Sequence, residues 1–170
     1  VLVQHDTPRA LEMLDHLNAY LRATLSASRS TQHPLRAEFD RLRDYLALMA
    51  IRMGQRLAYT LDLPEDLADH PVPTLLLQPL VENSITHGLE PQVAGGHISV
   101  QARRVGGRLV LRVSDNGAGL QTHATPHSSG FGLAQVRERL ATAYGADGAL
   151  EMIATPEGGT AACITFPLQK

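Results

Sequence analysis

The sequence predicts an α+β fold, a two-layer sandwich preceded by a helical hairpin, and three observations carry that reading. Five short stretches have strand character, most of them alternating apolar and polar residues with a period of two. At least three longer ones place apolar residues at steps of three and four, the period of an amphipathic helix. Glycine-rich turns join the second strand to the third and the fourth to the fifth, so hairpins dominate the sheet, and a doubly wound parallel sheet is not expected.

Each element has its own signal. Thr7-Pro8 offers a capping hydroxyl followed by proline at a first helical position. Leu11, Leu14, Leu17, Leu21 and Leu25 then keep helical spacing. Residues 26–34 read as a linker. A second helix carries Phe39, Leu42, Leu46, Met49 and Met53 on one side, with Gly54 placed to end it. These two helices form an expected antiparallel hairpin whose apolar stripes need a partner, either the rest of the chain or a second copy. Arg56 to Leu63 follows as a strand, and Pro64-Glu-Asp as a turn. A helical stretch from Leu75 to Gly88 buries a stripe of Leu77, Leu80, Val81, Ser84 and Ile85 and sets Pro79, Asn83 and His87 on another face. Pro79 donates no backbone hydrogen bond, so the regular helix begins or kinks near Gln78, and Gly88 is placed to end it. Residues 97–104 and 108–114 make a hairpin around Gly106-Gly107. Leu120 to Ser129 has no period and reads as a mobile loop. The last helix, about Gly132 to Tyr144, is expected to bury Leu133, Val136, Leu140 and Ala143. A second hairpin then runs from Leu150 through Pro156-Glu-Gly-Gly159 to Phe166.

Composition narrows the class. With 170 residues and 44% apolar content, the chain is long enough for one substantial core. No stretch approaches the roughly 20 apolar residues that span a bilayer. Beginning with Val1 in mid-pattern, the sequence reads as a fragment of something longer. The single cysteine, Cys163, excludes a disulfide framework and is expected as a buried, inert thiol suited to a reducing cytoplasm. A net charge of −2 gives no basic field for nucleic acid. Lys170 is the only lysine among 15 cationic residues, so phosphate contacts must come from arginine, backbone amides or a metal ion.

Three motifs stand in order. Leu75-Leu-Leu-Gln-Pro-Leu-Val-Glu-Asn-Ser-Ile-Thr-His-Gly88 sets an asparagine within an apolar run. Val113-Ser-Asp-Asn-Gly-Ala-Gly-Leu120 ends a strand in an acidic, glycine-rich turn, and Gly130-Phe-Gly-Leu133 opens a helix. Together they resemble the N, G1 and G2 boxes of the GHKL nucleotide-binding superfamily. The wording, with Gly158-Gly-Thr160 at the end, is most similar to the LytS-type sensor histidine kinases, from about Thr7 to the last strand.

This resemblance implies a GHKL-type two-layer α/β sandwich: a mixed, mostly antiparallel five-stranded sheet covered by about three helices. Residues 1–54 would be the C-terminal part of a dimerisation and phosphoacceptor region, and 55–170 the ATP-binding catalytic domain. Asp115 would recognise adenine, with Gly117 and Gly119 letting the backbone approach it. Asn83 would hold Mg2+, a hard cation that prefers oxygen ligands, and His87 would lie near the phosphates. Gly130, Gly132 and Leu133 open a helix whose free amides can hold an anion, and Thr160 completes the cofactor-binding set. The expected cofactors are ATP and Mg2+. Expected partners are ATP or ADP, a response regulator and, in the full-length protein, a second copy. Nucleic acid is not expected, and a membrane only through segments outside this chain, as the cytoplasmic part of an anchored sensor.

Departures from the family pattern qualify the catalytic assignment. Thr86 and Gln135 stand where LytS-type kinases commonly have lysine and asparagine. Gyrase-like ATPases carry a water-activating glutamate where this chain has Pro79. Glu82 is the remaining candidate acid or base, but it projects about 100° away from Asn83 around the helix. The family's phosphoacceptor motif, of Asn-Pro-His-Phe-Leu-Phe-Asn type, is missing, and His5, His16 and His33 do not match it. The expected function is therefore transfer of the γ-phosphate of ATP to a histidine outside this chain and thence to an aspartate, with this fragment inactive alone. A catalytically degenerate GHKL nucleotide-binding or protein-interaction module is the alternative. No dinucleotide or Walker fingerprint exists, and Pro126 lies between His123 and His127, which opposes a helical zinc pair there.

Overall fold

A computed structural model describes residues 7–27, 31–119 and 130–168. Helices α1 (Thr7–Ala27) and α2 (Leu35–Met53) form the expected hairpin. The Arg9 guanidinium donates to the Ile51 carbonyl at 3.2 Å, so the start of α1 lies beside the end of α2 and the pair is antiparallel. Gly54 ends α2 at φ +62°, in the left-handed region, with its amide donating to the Ala50 carbonyl. The linker is shorter than expected, because α1 runs through Ala27 and Gln32–Pro34 form a strand, β1. This pairs antiparallel with β3 (Pro71–Pro73) in a separate two-stranded ribbon. Three of its six residues are prolines without amide donors, a composition that confines it to a short edge ribbon.

The main sheet contains β2 (Leu57–Asp62), β4 (Gly96–Val105), β5 (Arg108–Asp115), β6 (Ala149–Ala154) and β7 (Thr160–Pro167), in the order β2-β4-β5-β7-β6. Only β2 and β4 are parallel, and the segment crossing between them carries α3 (Gln78–Asn83). The remaining pairs are antiparallel, which gives the mixed, hairpin-rich sheet anticipated. Helix α4 (Gly130–Tyr144) links β5 to β6.

The core lies between one face of the sheet and the helices. Val100, Leu111, Ile164 and Phe166 from the strands meet Phe39, Leu42 and Leu46 of α2, Leu80 of α3 and Leu140 of α4 in one apolar cluster. The division expected at residue 54/55 therefore falls between stretches that share a core. On the outer face, Cys163 stands in register with Arg112 and Glu151. Cys163 is half-buried rather than buried, on a face where its strand neighbours Arg112 and Glu151 are exposed. Ala143 is exposed, contrary to its expected burial. Its neighbour Tyr144 takes the packing role, stacked on Phe166 with ring centroids 4.4 Å apart.

Candidate functional site

Asp115 is the last residue of β5 and is only 6% exposed. A buried carboxylate is costly unless hydrogen bonds reach it, and its Oδ1 accepts the Gly117 amide at 3.0 Å. Oδ2 takes no hydrogen bond among the described residues, which leaves an acceptor for a ligand's amino group. The position is crowded on two sides. A Cβ at Gly88 would stand 2.8 Å from Asp115 Oδ1, and one at Gly159 only 1.8 Å from the Asp115 carbonyl oxygen. Thr160 is directly opposite Asp115 in the β5–β7 register.

The helix facing Asp115 is not a uniform α-helix. Pro79 occupies its first turn, as the missing amide donor requires. From Ser84 to Leu89 it widens into a π-turn, in which the Glu90 amide reaches back five residues to the Ile85 carbonyl at 2.8 Å. Such widened turns are frequent at functional sites. Gly88 therefore does not end the helix, which continues to Leu89. Its absent side chain instead lets α3 approach the Asp115 carboxylate and the G1 turn. The Ala118 amide donates to the Gly88 carbonyl at 2.9 Å, and a Cβ at Gly117 would lie 2.1 Å from that oxygen. Gly117 also packs backbone on backbone here, where a Cβ would collide with Gly88.

The expected buried stripe holds, with Leu77, Leu80, Val81, Ser84 and Ile85 all buried. Pro79, Asn83 and His87 are half-buried and Thr86 is exposed. Glu82 Oε1 accepts from Gln78 Nε2 at 2.9 Å. Gly132 brings the start of α4 against Pro79, 3.4 Å from a Cβ position, and Leu133 packs partly buried against the core. Gly119 has φ +80° and lies against the Gly158 carbonyl, so the end of the G1 turn touches the turn before Thr160. The structure thus brings the N box, the G1 turn, the start of α4 and the Gly158–Thr160 corner together. Gly130 is the first residue of α4. The loop expected over 120–129, including His123 and His127, and His5 lie outside the described residues.

No group of three or more histidine, cysteine or acidic side chains clusters among the described residues. A magnesium ion that keeps waters and phosphate oxygens as ligands fits such a site, since it needs only one or two protein oxygens.

Several residues escaped the sequence reading. Glu38 is 1% exposed, and its Oε1 accepts the amides of Leu76 at 2.6 Å and Leu77 at 3.3 Å, just ahead of α3. Its Oε2 is 3.1 Å from His33 Nε2 and 3.8 Å from Arg41 Nη1. The available signal was an acid and a base, at positions 38 and 41, within the apolar stripe of α2. Gln135, noted above as a departure from the family pattern, lines a cavity of about 630 Å3 with Pro73, Leu75, Arg139 and Thr142.

Comparison with known proteins agrees with this geometry. Residues 68–170 match the family described as histidine kinase-, DNA gyrase B-, and HSP90-like ATPase, and residues 1–57 match a histidine kinase family. The sensor histidine kinase BtsS of Escherichia coli (strain K12) is 30% identical over 166 residues, covering 98% of this chain and 29% of that protein. The sensor protein LytS of Oceanobacillus iheyensis is 27% identical over 169 residues, covering 92% of this chain and 29% of that protein. The chain thus spans less than a third of these relatives. Among solved structures, the histidine kinase domain of the Erythrobacter litoralis EL346 blue-light activated histidine kinase superposes with a TM-score of 0.64. It is 18% identical, with 91% of this chain and 80% of that one covered. With its N box and G1 turn meeting at one buried aspartate and its sequence matching kinase families over both stretches, the chain belongs to the histidine kinase-, DNA gyrase B-, and HSP90-like ATPase family, as an ATP-binding catalytic domain of the sensor histidine kinase type.

Proposed function

We propose that the chain holds Mg-ATP between α3, the G1 turn and the start of α4, and directs its γ-phosphate to a histidine outside these 170 residues, from which a response-regulator aspartate receives it. The observation that carries this reading is the buried Asp115 carboxylate, pinned by Gly88 and Gly117, with Oδ2 left to accept from an adenine amino group. Asn83 would offer its amide oxygen to magnesium, whose charge offsets that of the phosphates. His87 and the amides that open α4 at Gly130, Gly132 and Leu133 are assigned to the phosphates, and Thr160, Gly117 and Gly119 to the walls of the base pocket. In the transfer, the bond from the γ-phosphorus to its bridging oxygen breaks and a phosphorus–nitrogen bond to histidine forms. The protein's part is to position and to neutralise charge.

Residues 1–54 are read as the end of the dimerisation and phosphoacceptor region and 55–170 as the catalytic domain. The exposed leucines of α1, Leu11, Leu14 and Leu21, repeat at steps of three and seven, which supports a helical partner such as a second copy. No described helix is long and apolar enough to cross a membrane. Placement in the cytoplasm, beneath a membrane anchor carried elsewhere in the protein, is part of this proposal.

The test is calorimetric titration with ADP and magnesium of the parent and of Asp115→Asn, which exchanges a carboxylate acceptor for an amide at nearly constant volume. Weaker binding by at least about tenfold is expected, from the loss of a charge-assisted hydrogen bond. Equal affinities would overturn the assignment of Asp115. With γ-labelled ATP and a supplied acceptor histidine domain, acid-labile label is expected on the acceptor and none on this chain alone. Nucleotide binding without any transfer would instead favour the degenerate binding module.

A further inference from the structure

We propose that α2 grips the Asn83-bearing helix at both ends, and that Glu38 and Arg56 are positioning residues that set Asn83 for its cation. The inference rests on the reading of Asn83 as the magnesium ligand. At the N-terminal end, the Glu38 carboxylate takes the amides of Leu76 and Leu77, the residues leading into α3. Leu75, immediately before them, has φ +60°, a left-handed conformation that is unfavourable for a non-glycine residue. Its carbonyl accepts from Arg139 Nη1 of α4 at 2.8 Å. A strained residue persists where its surroundings over-determine it, and here Arg139 and Glu38 hold both ends of the peptide unit that follows it, through the Leu75 carbonyl and the Leu76 amide.

At the C-terminal end the charge is reversed. Arg56, just past α2, donates through Nη2 to the carbonyls of Glu90 at 3.1 Å and Gln92 at 2.7 Å, directly after the π-turn. Arg52, in the last turn of α2, pairs with the Glu90 carboxylate at 3.0 Å. An anion at the amide end and a cation at the carbonyl end both match the helix dipole. Between these contacts, Phe39, Leu42 and Leu46 bury against the shared core, so α2 and the helix from Gln78 to Leu89 form one packed unit. Asp115 touches the gripped helix at Gly88, but it is fixed in the sheet by its own β5–β7 pairing and by the Gly117 amide. Loosening the grip should therefore disturb the cation more than the base, a separation that general destabilisation would not produce.

The experiment is ADP titration with and without magnesium for the parent, Glu38→Gln and Arg56→Gln, together with amide exchange over residues 76–89. The expected result is magnesium-free ADP affinity within about twofold of the parent, and a magnesium-dependent gain reduced about fivefold or more, in the range typical of coupling between sites. Faster exchange over 76–89 is expected in both variants, with Arg56→Lys restoring part of the gain. Glu38→Gln removes a charge beside buried Arg41, so Arg56→Gln, at the half-buried opposite end, carries the test if the first variant does not fold. A parental gain retained in full by both variants would overturn the grip. If the parent itself gains nothing from magnesium, the reading of Asn83 fails. The grip is then judged by exchange alone, where unchanged protection over 76–89 refutes it and faster exchange sustains it.

Discussion

Gly88→Ala isolates the contact on which the base pocket depends. The new methyl carbon would stand 2.8 Å from Asp115 Oδ1, where ordinary contact begins at 3.4 Å, a shortfall of about 0.6 Å. The strand end cannot simply retreat, because the Asp115 carbonyl already lies against Gly159, where a Cβ would come within 1.8 Å. The carboxylate must therefore turn, at the expense of the bond from the Gly117 amide. Overpacking of this kind costs about 1–3 kcal/mol. Alanine recovers up to about 1 kcal/mol of helix propensity, so net destabilisation of about 0–2 kcal/mol is expected. Ligand binding receives no such compensation. A misplaced acceptor should lower ADP affinity by about 1.5–3 kcal/mol, or roughly 10- to 150-fold. Calorimetry with ADP beside thermal unfolding reads both quantities. Gly107→Ala, with nothing within 4 Å of its Cβ position, serves as the control and should change neither. ADP affinity within twofold of the parent in a folded Gly88→Ala protein would refute the account of the pocket.

Two further predictions concern stability. Burial, with Arg104 adding to it, holds the His70 imidazole below its usual pKa, so the folded state disfavours its protonation. The unfolded chain takes up that proton first as pH falls below about 6.5, and stability is lost from there down through the lowered folded value. A parallel series of His70→Gln melts between pH 8 and pH 5 should show a shallower fall, and identical slopes would remove His70 from the acid response. The Tyr144 hydroxyl is buried with no hydrogen-bond partner among the described residues, and burial pushes its pKa up to about 12. Tyr144→Phe keeps the stacking on Phe166 and removes an unsatisfied group, so denaturant unfolding should show unchanged stability or a gain of up to about 1 kcal/mol. A loss above 1 kcal/mol would reveal a partner for that hydroxyl.

The fold was legible because periodicity and turn chemistry act locally. The alternation of 97–104 and 108–114 around Gly106-Gly107 and the stripe from Leu77 to Ile85 both reflect burial on one face, and both are found. What the sequence concealed depends on non-local contact. Gly88 read as a helix terminator, since glycine ends helices more often than it admits a carboxylate 27 residues later in the chain. The π-turn has no compositional marker. The β1–β3 ribbon is too short and too rich in proline to show a period. Glu38 was legible only as an anomaly, an acid among buried positions, while its partners at Leu76 and Leu77 are backbone groups that no side-chain pattern reveals. For the site, residue types and order pointed to the three boxes, but the distances that give Gly88, Gly117 and Gly159 their roles appear only once strands and helix are packed together.

The widened turn from Ser84 to Leu89 also limits how the chain can change in length. It accommodates one residue more than an α-helix would between the same hydrogen-bonded groups. Deleting Thr86, whose side chain is exposed, would let a regular α-helix close locally with no loss of core. Residues beyond Leu89 would keep their faces, since the deletion removes the one extra residue that the wide turn absorbs, but Gly88 inside the turn would change its place in it. The Gly88 backbone would swing away from Asp115, and the Ala118 amide would lose its acceptor. A deletion harmless to the helix would thus dismantle the pocket beside it. Substitution can alter this surface residue freely, but a change in the number of residues cannot be absorbed there.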